Sequence, residues 1–134
     1  KHQLKEQLRV RAIANGFYET VLYVFGEKKL FEKYGFQTIK NELDLKNPIV
    51  DNMDTLRPNA VLGMLEAVQR NMNFGKKRIP LFEIGKVFDE NRNETEKLTI
   101  VYSGEISPPA VSNNGKPKLV DFAFFAKKVL SIIG

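Results

Sequence analysis

Two charged residues stand where a charge is costly. Glu83 lies inside Ile-Pro-Leu-Phe-Glu-Ile-Gly-Lys-Val-Phe, residues 79–88 of an apolar run. Arg57 sits between Leu56 and Pro58, just before a helix start. A buried carboxylate needs a cationic or hydrogen-bonding partner, because desolvation costs several kcal/mol per ion. Glu83 is therefore expected to bond a nearby backbone group or a basic side chain such as Arg57, with a substrate-facing acceptor as the other reading. Arg57 either braces its loop or meets an anion through its fork of donors. A third feature is basic: Arg70, Lys76, Lys77, Arg78 and Lys86 oppose only Glu83 across residues 70–86. Such a run is either a solvated face or a contact to phosphates.

Other chemistries are excluded by residue type. The 134 residues contain no cysteine and one histidine, His2, so disulfides, thiolate metal sites and histidine-rich metal sites are ruled out. Histidine-dependent nucleophilic catalysis would rest on that terminal residue alone. Neither a glycine fingerprint nor a phosphate-binding loop of the usual spacing occurs. We assign no catalytic, cofactor-binding or metal-binding residue. The net charge of +5, from 21 basic and 16 acidic side chains, permits an anionic partner without demanding one.

The elements that must carry these residues follow from periodicity. Leu4, Leu8 and Ala12 recur at helical spacing, and Asn15-Gly16 supplies a helix stop. Residues 17–25 are aromatic and β-branched and predict a well-buried strand. A short helical turn is expected near 27–33, and a short strand at Leu43–Leu45 ending in the Asn47-Pro48 turn. Asn59 caps a helix whose face is marked by Val61, Leu65, Val68 and Met72. Gly63 within it suggests close approach of a neighbouring backbone. Strands at 79–88 and 97–104 flank the polar turn from Asp89 to Glu94 and form an antiparallel hairpin. Residues 105–118 are read as loop. From Asp121 onward, Phe122, Phe125, Val129 and Ile132 or Ile133 mark a last amphipathic helix. Hairpin strands flanked by helices indicate an α+β domain with a mainly antiparallel sheet. The 134 residues are read as one module. No stretch approaches the 18 or so apolar residues of a membrane span, so no membrane contact is expected. The opening Lys1 and the missing leader suggest a segment of a longer, cytoplasmic chain.

The residues also carry a family pattern. Leu56-Arg57-Pro58-Asn59-Ala60-Val61-Leu62-Gly63-Met64-Leu65, followed by Leu81-Phe82-Glu83-Ile84-Gly85-Lys86-Val87-Phe88, resembles the bacterial phenylalanyl-tRNA synthetase β subunit. Asn15-Gly16-Phe17, Leu45-x-Asn47-Pro48 and Val120-Asp121-Phe122 are similar to further pieces of that pattern. The resemblance implies a class II synthetase-like core in the non-catalytic chain of an (αβ)₂ heterotetramer that joins phenylalanine to tRNA. It further implies that ATP and magnesium bind the partner α subunit. A working class II core carries an arginine directly after the Val-Phe strand end, where it holds the ATP α-phosphate. Here Val87-Phe88 is followed by Asp89-Glu90-Asn91, and no second arginine opening a glycine-rich helix follows. An aspartate there would repel a polyphosphate.

Three readings result: a structural and subunit-interaction module, a tRNA-contacting module using residues 70–86, and a catalytic fragment. We take the first as the leading expectation. Leu4, Leu8 and Phe17 are then the expected subunit-interface residues, because the first helix and strand stand in the place of the class II dimerisation motif. Lys76, Lys77 and Arg78 are the expected tRNA contacts.

Overall fold

A computed structural model describes residues 2–40, 53–107 and 118–134. The elements in chain order are α1 (His2–Ala14), β1 (Tyr18–Glu19), β2 (Phe25–Gly26), α2 (Lys28–Lys33), β3 (Thr55–Leu56), α3 (Val61–Asn73), β4 (Arg78–Phe88), β5 (Glu94–Ser107), β6 (Lys118–Leu119) and α4 (Phe122–Ile133). The fold is α+β, with a four-stranded sheet in the order β1-β4-β5-β6 and a separate β2-β3 pair. The larger sheet is mixed: β1 runs parallel to β4, whereas β6 runs antiparallel to β5. The chain divides into two compact units. One comprises Lys1–Thr20, Leu65–Phe82 and Ile100–Gly134; the other comprises Val21–Met64 and Glu83–Thr99.

In the first unit, α1 ends as its sequence dictates. Gly16 takes φ 87°, its N–H bonds the Ile13 carbonyl, and the Phe17 N–H reaches back to Ala12. This pair of bonds satisfies two of the orphan carbonyls at the helix end and turns the chain inward. Phe17 then enters the core, only 2% exposed, and meets Tyr102 edge-on at 5.9 Å between ring centroids. Tyr102 meets Phe124 the same way at 5.5 Å. Asp121 starts α4 by accepting a hydrogen bond from the Phe124 N–H at 2.8 Å. In the second unit the core holds Phe31, Ile39, Leu56, Leu62, Met64 and Val87. Asn59 caps α3 through its side-chain oxygen and the Val61 N–H, 3.0 Å apart.

Several sequence expectations change. Residues 17–25 do not form one buried strand; β1 and β2 hold two residues each, and Val21 is 92% exposed. Between them the Leu22 N–H donates to the Glu83 side chain, which takes that donor out of any strand ladder. The buried side of α3 is Leu62, Met64, Ala67 and Val68, while Val61, Leu65 and Met72 are exposed. Residues 61–68 contain one charged residue, Glu66, so spacing alone leaves two stripes nearly equivalent. At Gly63 the near neighbour is a side chain: an added Cβ would stand 3.2 Å from Leu22 Cδ1. Strand β5 extends beyond 97–104 at both ends, and Glu105–Ser107 pairs with β6 rather than lying in loop. The sheet is mixed, with β1 parallel to β4, within the α+β class that the sequence indicates. The expected strand at Leu43–Leu45 and the Asn47-Pro48 turn fall outside the described residues. Among the described residues no helix is long and apolar enough to cross a membrane.

Candidate functional site

Arg57 and Glu83 lie in the second unit and are both buried. Their charged groups meet at 2.7 Å, from Arg57 Nη1 to Glu83 Oε1. The other carboxylate oxygen, Oε2, accepts from the Leu22 N–H at 2.7 Å. Arg57 Nε donates to the Lys86 carbonyl at 2.8 Å. The Arg57 backbone is engaged as well: its N–H donates to Val24 O and its carbonyl accepts from the Phe88 N–H. One arginine thus ties residues 22–24 and the end of β4 to the chain entering α3.

Strand geometry explains the pairing. Side chains alternate across β4, so Glu83, Gly85 and Val87 share a face. Gly85 opens the space the guanidinium fills. An added Cβ at Gly85 would overlap Arg57 Nη2 and stand 3.0 Å from the Glu83 carboxyl. A glycine in a strand interior marks such a close approach, and this was the sequence signal that went unused. Both carboxylate oxygens and two guanidinium nitrogens are occupied by protein partners, so the pair acts as a clamp. Breaking one side of such a pair leaves an uncompensated buried charge, which costs about 3–5 kcal/mol. One residue before Leu56, the Thr55 hydroxyl is buried with no hydrogen-bond partner.

Asp89 follows β4 and organises a turn. Its Oδ1 accepts from the Asn91 and Asn93 N–H groups at 2.9 and 2.8 Å, and its Oδ2 accepts from Asn93 Nδ2 at 3.0 Å. These bonds, those from Asn93 foremost, hold the Asp89 carboxyl below its ordinary range despite partial desolvation. The turn also places Arg92 at φ 63°. The carboxylate that follows β4 thus has both oxygens engaged by its own turn.

The expected interface residues separate. Leu4 on α1 is 57% exposed, Leu8 is half-buried and Phe17 belongs to the core of its own chain. Val10 and Ile13 on α1 and Tyr18 on β1 are exposed as well, as are Phe122, Leu130 and Ile133 on α4. In the second unit Val21 and Tyr23 are exposed on the segment between β1 and β2. An ion pair on the first unit joins Arg9 Nε to both oxygens of Glu19 at 3.1 and 2.9 Å, with Glu6 also bonded to Arg9. The Glu19 carboxylate raises the Arg9 pKa. Lys76, Lys77 and Arg78 are exposed at the turn between α3 and β4. Sequence reasoning missed their neighbour Phe74, which lies outside the buried stripe of α3 and points to solvent.

Comparison with known proteins adds to this geometry. The sequence model described as "Phenylalanyl tRNA synthetase beta chain CLM domain" matches residues 1–133. The phenylalanine–tRNA ligase β subunit of Sulfurimonas denitrificans is 42% identical over 126 residues, covering 94% of this chain and 16% of that protein. The same subunit of Helicobacter pylori is 40% identical over 133 residues, 99% of this chain and 17% of that protein. The chain therefore spans about a sixth of the length of these curated relatives. Among solved structures, pyrrolysyl-tRNA synthetase from Desulfitobacterium hafniense superposes with a TM-score of 0.67 at 15% identity, over 98% of this chain and 44% of that one. Histidyl-tRNA synthetase from Nostoc gives 0.64 at 11% identity, over 97% of this chain and 27% of that one. These two likenesses concern the fold, which is that of class II aminoacyl-tRNA synthetases. Matched along nearly its whole length by the family's model and covered by relatives at 40% identity and above, the chain belongs to the phenylalanyl-tRNA synthetase β chain CLM-domain family.

Proposed function

We propose that this chain is a non-catalytic structural and subunit-interaction module of a phenylalanine–tRNA ligase. In this reading it supports ATP-dependent attachment of phenylalanine to tRNA by a partner α subunit. ATP and magnesium bind that partner, the assembly is an (αβ)₂ heterotetramer, and the work is cytoplasmic. The observation that carries the non-catalytic part is Asp89. Two engaged carboxylate oxygens at the strand end repel a triphosphate and offer no donor to it. The buried Arg57–Glu83 clamp supports the same reading, since both carboxylate oxygens and two guanidinium nitrogens are already committed to protein partners.

The interaction part rests on the exposed apolar side chains of α1. Leu4, Val10 and Ile13 are exposed apolar side chains on α1, and covering them is what a protein partner would do. Leu4→Glu and Val10→Glu are expected to weaken association with the α subunit at least tenfold while leaving circular dichroism unchanged. Sedimentation of the reconstituted assembly measures this. Full association of both variants overturns the interaction reading. A second measurement addresses catalysis: phenylalanine-dependent exchange of pyrophosphate into ATP by this chain alone should be absent, and its presence refutes the non-catalytic assignment.

A further inference from the structure

Phe74 is 85% exposed, and it stands in a segment, residues 70–78, that carries Arg70, Lys76, Lys77 and Arg78 and no acidic residue. Arg70 complements the dipole at the end of α3, because basic groups favour a helix C-terminus, and Lys76, Lys77 and Arg78 follow beyond it. They do not account for an aromatic ring in water at the same place. The backbone of this turn is fixed. Phe74 N–H donates to Arg70 O, Gly75 N–H to Met72 O and Lys76 N–H to Asn71 O, at 3.1, 2.9 and 3.0 Å. Lys77 O accepts from the Glu105 N–H at 2.8 Å, and Gly104 packs so tightly on that carbonyl that no Cβ fits. Arg78 Nη2 donates to Gly16 O at 3.2 Å. Arg78 also borders a cleft of about 380 Å³ shared with Ile13, Phe17, Tyr18 and Glu19, and Tyr18 is exposed. The Glu19 carboxylate on this cleft is neutralised by Arg9.

We propose that the Phe74–Arg78 turn is a contact for an unpaired stretch of the tRNA. The Phe74 ring is a stacking platform for a base, Lys76 and Lys77 meet backbone phosphates, and the Arg78–Tyr18 cleft receives a neighbouring base. An exposed ring beside consecutive cations on a preorganised backbone is the combination that single-stranded nucleic acid uses. An acidic protein surface engages the cations but gives the ring no flat partner. The inference rests on the ligase reading above, though not on the α1 interface within it.

The test uses the assembled α and β subunits and phenylalanine tRNA, with dissociation constants measured across a salt series. Phe74→Ala is expected to weaken binding about 5- to 150-fold with little change in salt slope, the scale of one lost base stack. Phe74→Trp should retain wild-type affinity. Lys76→Gln with Lys77→Gln should lower the slope of log K against log salt by about 1.4, at roughly 0.7 per single-strand phosphate. Wild-type affinity and slope in all variants overturn the proposal. So does a loss of α-subunit association by Phe74→Ala with tRNA binding unchanged, which would make the ring a protein contact. If the wild-type assembly itself fails to bind tRNA, the ligase reading falls and this inference falls with it.

Discussion

The Arg57–Glu83 clamp and the Phe74–Arg78 turn use charged side chains to opposite ends. In the clamp, a guanidinium and a carboxylate are buried, paired at 2.7 Å and further bonded to Leu22 and Lys86 backbone groups. In the turn, three cations and a ring face water. The difference teaches that charge type predicts little without its surroundings. A buried charge with its partners in place is held for the sake of the fold. An exposed cation on a fixed backbone is left able to meet something else.

Removing half of the clamp should produce the largest effect. Arg57→Met strands the Glu83 carboxylate, and Glu83→Leu strands the guanidinium; each is expected to cost about 3–5 kcal/mol in urea unfolding. The double variant Arg57→Met/Glu83→Leu should recover much of that loss, because no unpaired charge remains. Equal losses in the single and double variants would contradict the clamp. Gly85→Ala sharpens the comparison next. Its methyl enters space the guanidinium occupies, and overpacking of this kind costs about 1–3 kcal/mol. A neutral result would show that Arg57 moves aside freely.

The exposed ion pair of the first unit supplies the contrast. Arg9→Ala removes bonds to Glu19 and Glu6, yet surface pairs contribute about 0–1 kcal/mol, so the loss should stay within that range and shrink in salt. A loss matching that of Arg57→Met would erase the distinction between the regions. The smallest effect belongs to Asp89. Its folded pKa is lowered, so the stability it contributes is present above the ordinary value of 3.8 and is lost as pH falls further, through the folded value. Carbon NMR titration of the Asp89 carboxyl should therefore give a midpoint below 3.8. A midpoint at or above that value would mean that the turn's bonds are not maintained in solution.

How much of this was legible in the sequence varies with the physics involved. The Asn15-Gly16 stop, the Asn59 and Asp121 caps and β4 are local signals, and each is realised. The partnership of Glu83 with Arg57 was also legible as one option, since a carboxylate in an apolar strand must find a cation or a backbone donor. The contribution of Leu22 was not, because a backbone N–H leaves no trace in side-chain type. The face of α3 was illegible for a different reason: Val61 to Val68 is apolar on too many sides for spacing to choose. Phe74 was overlooked because aromatic residues read as core, and its position just past the α3 stripe became informative only once its exposure was known.

In the proposed function the charged centre of β4 holds the fold and does no chemistry. Glu83→Gln in the assembled ligase tests it most directly, with aminoacylation of phenylalanine tRNA as the readout and folding monitored in parallel. The catalytic rate is expected to stay close to that of the wild type in protein that remains folded. A fall of about a hundredfold or more in folded protein, the scale of a lost acid–base group, would contradict it.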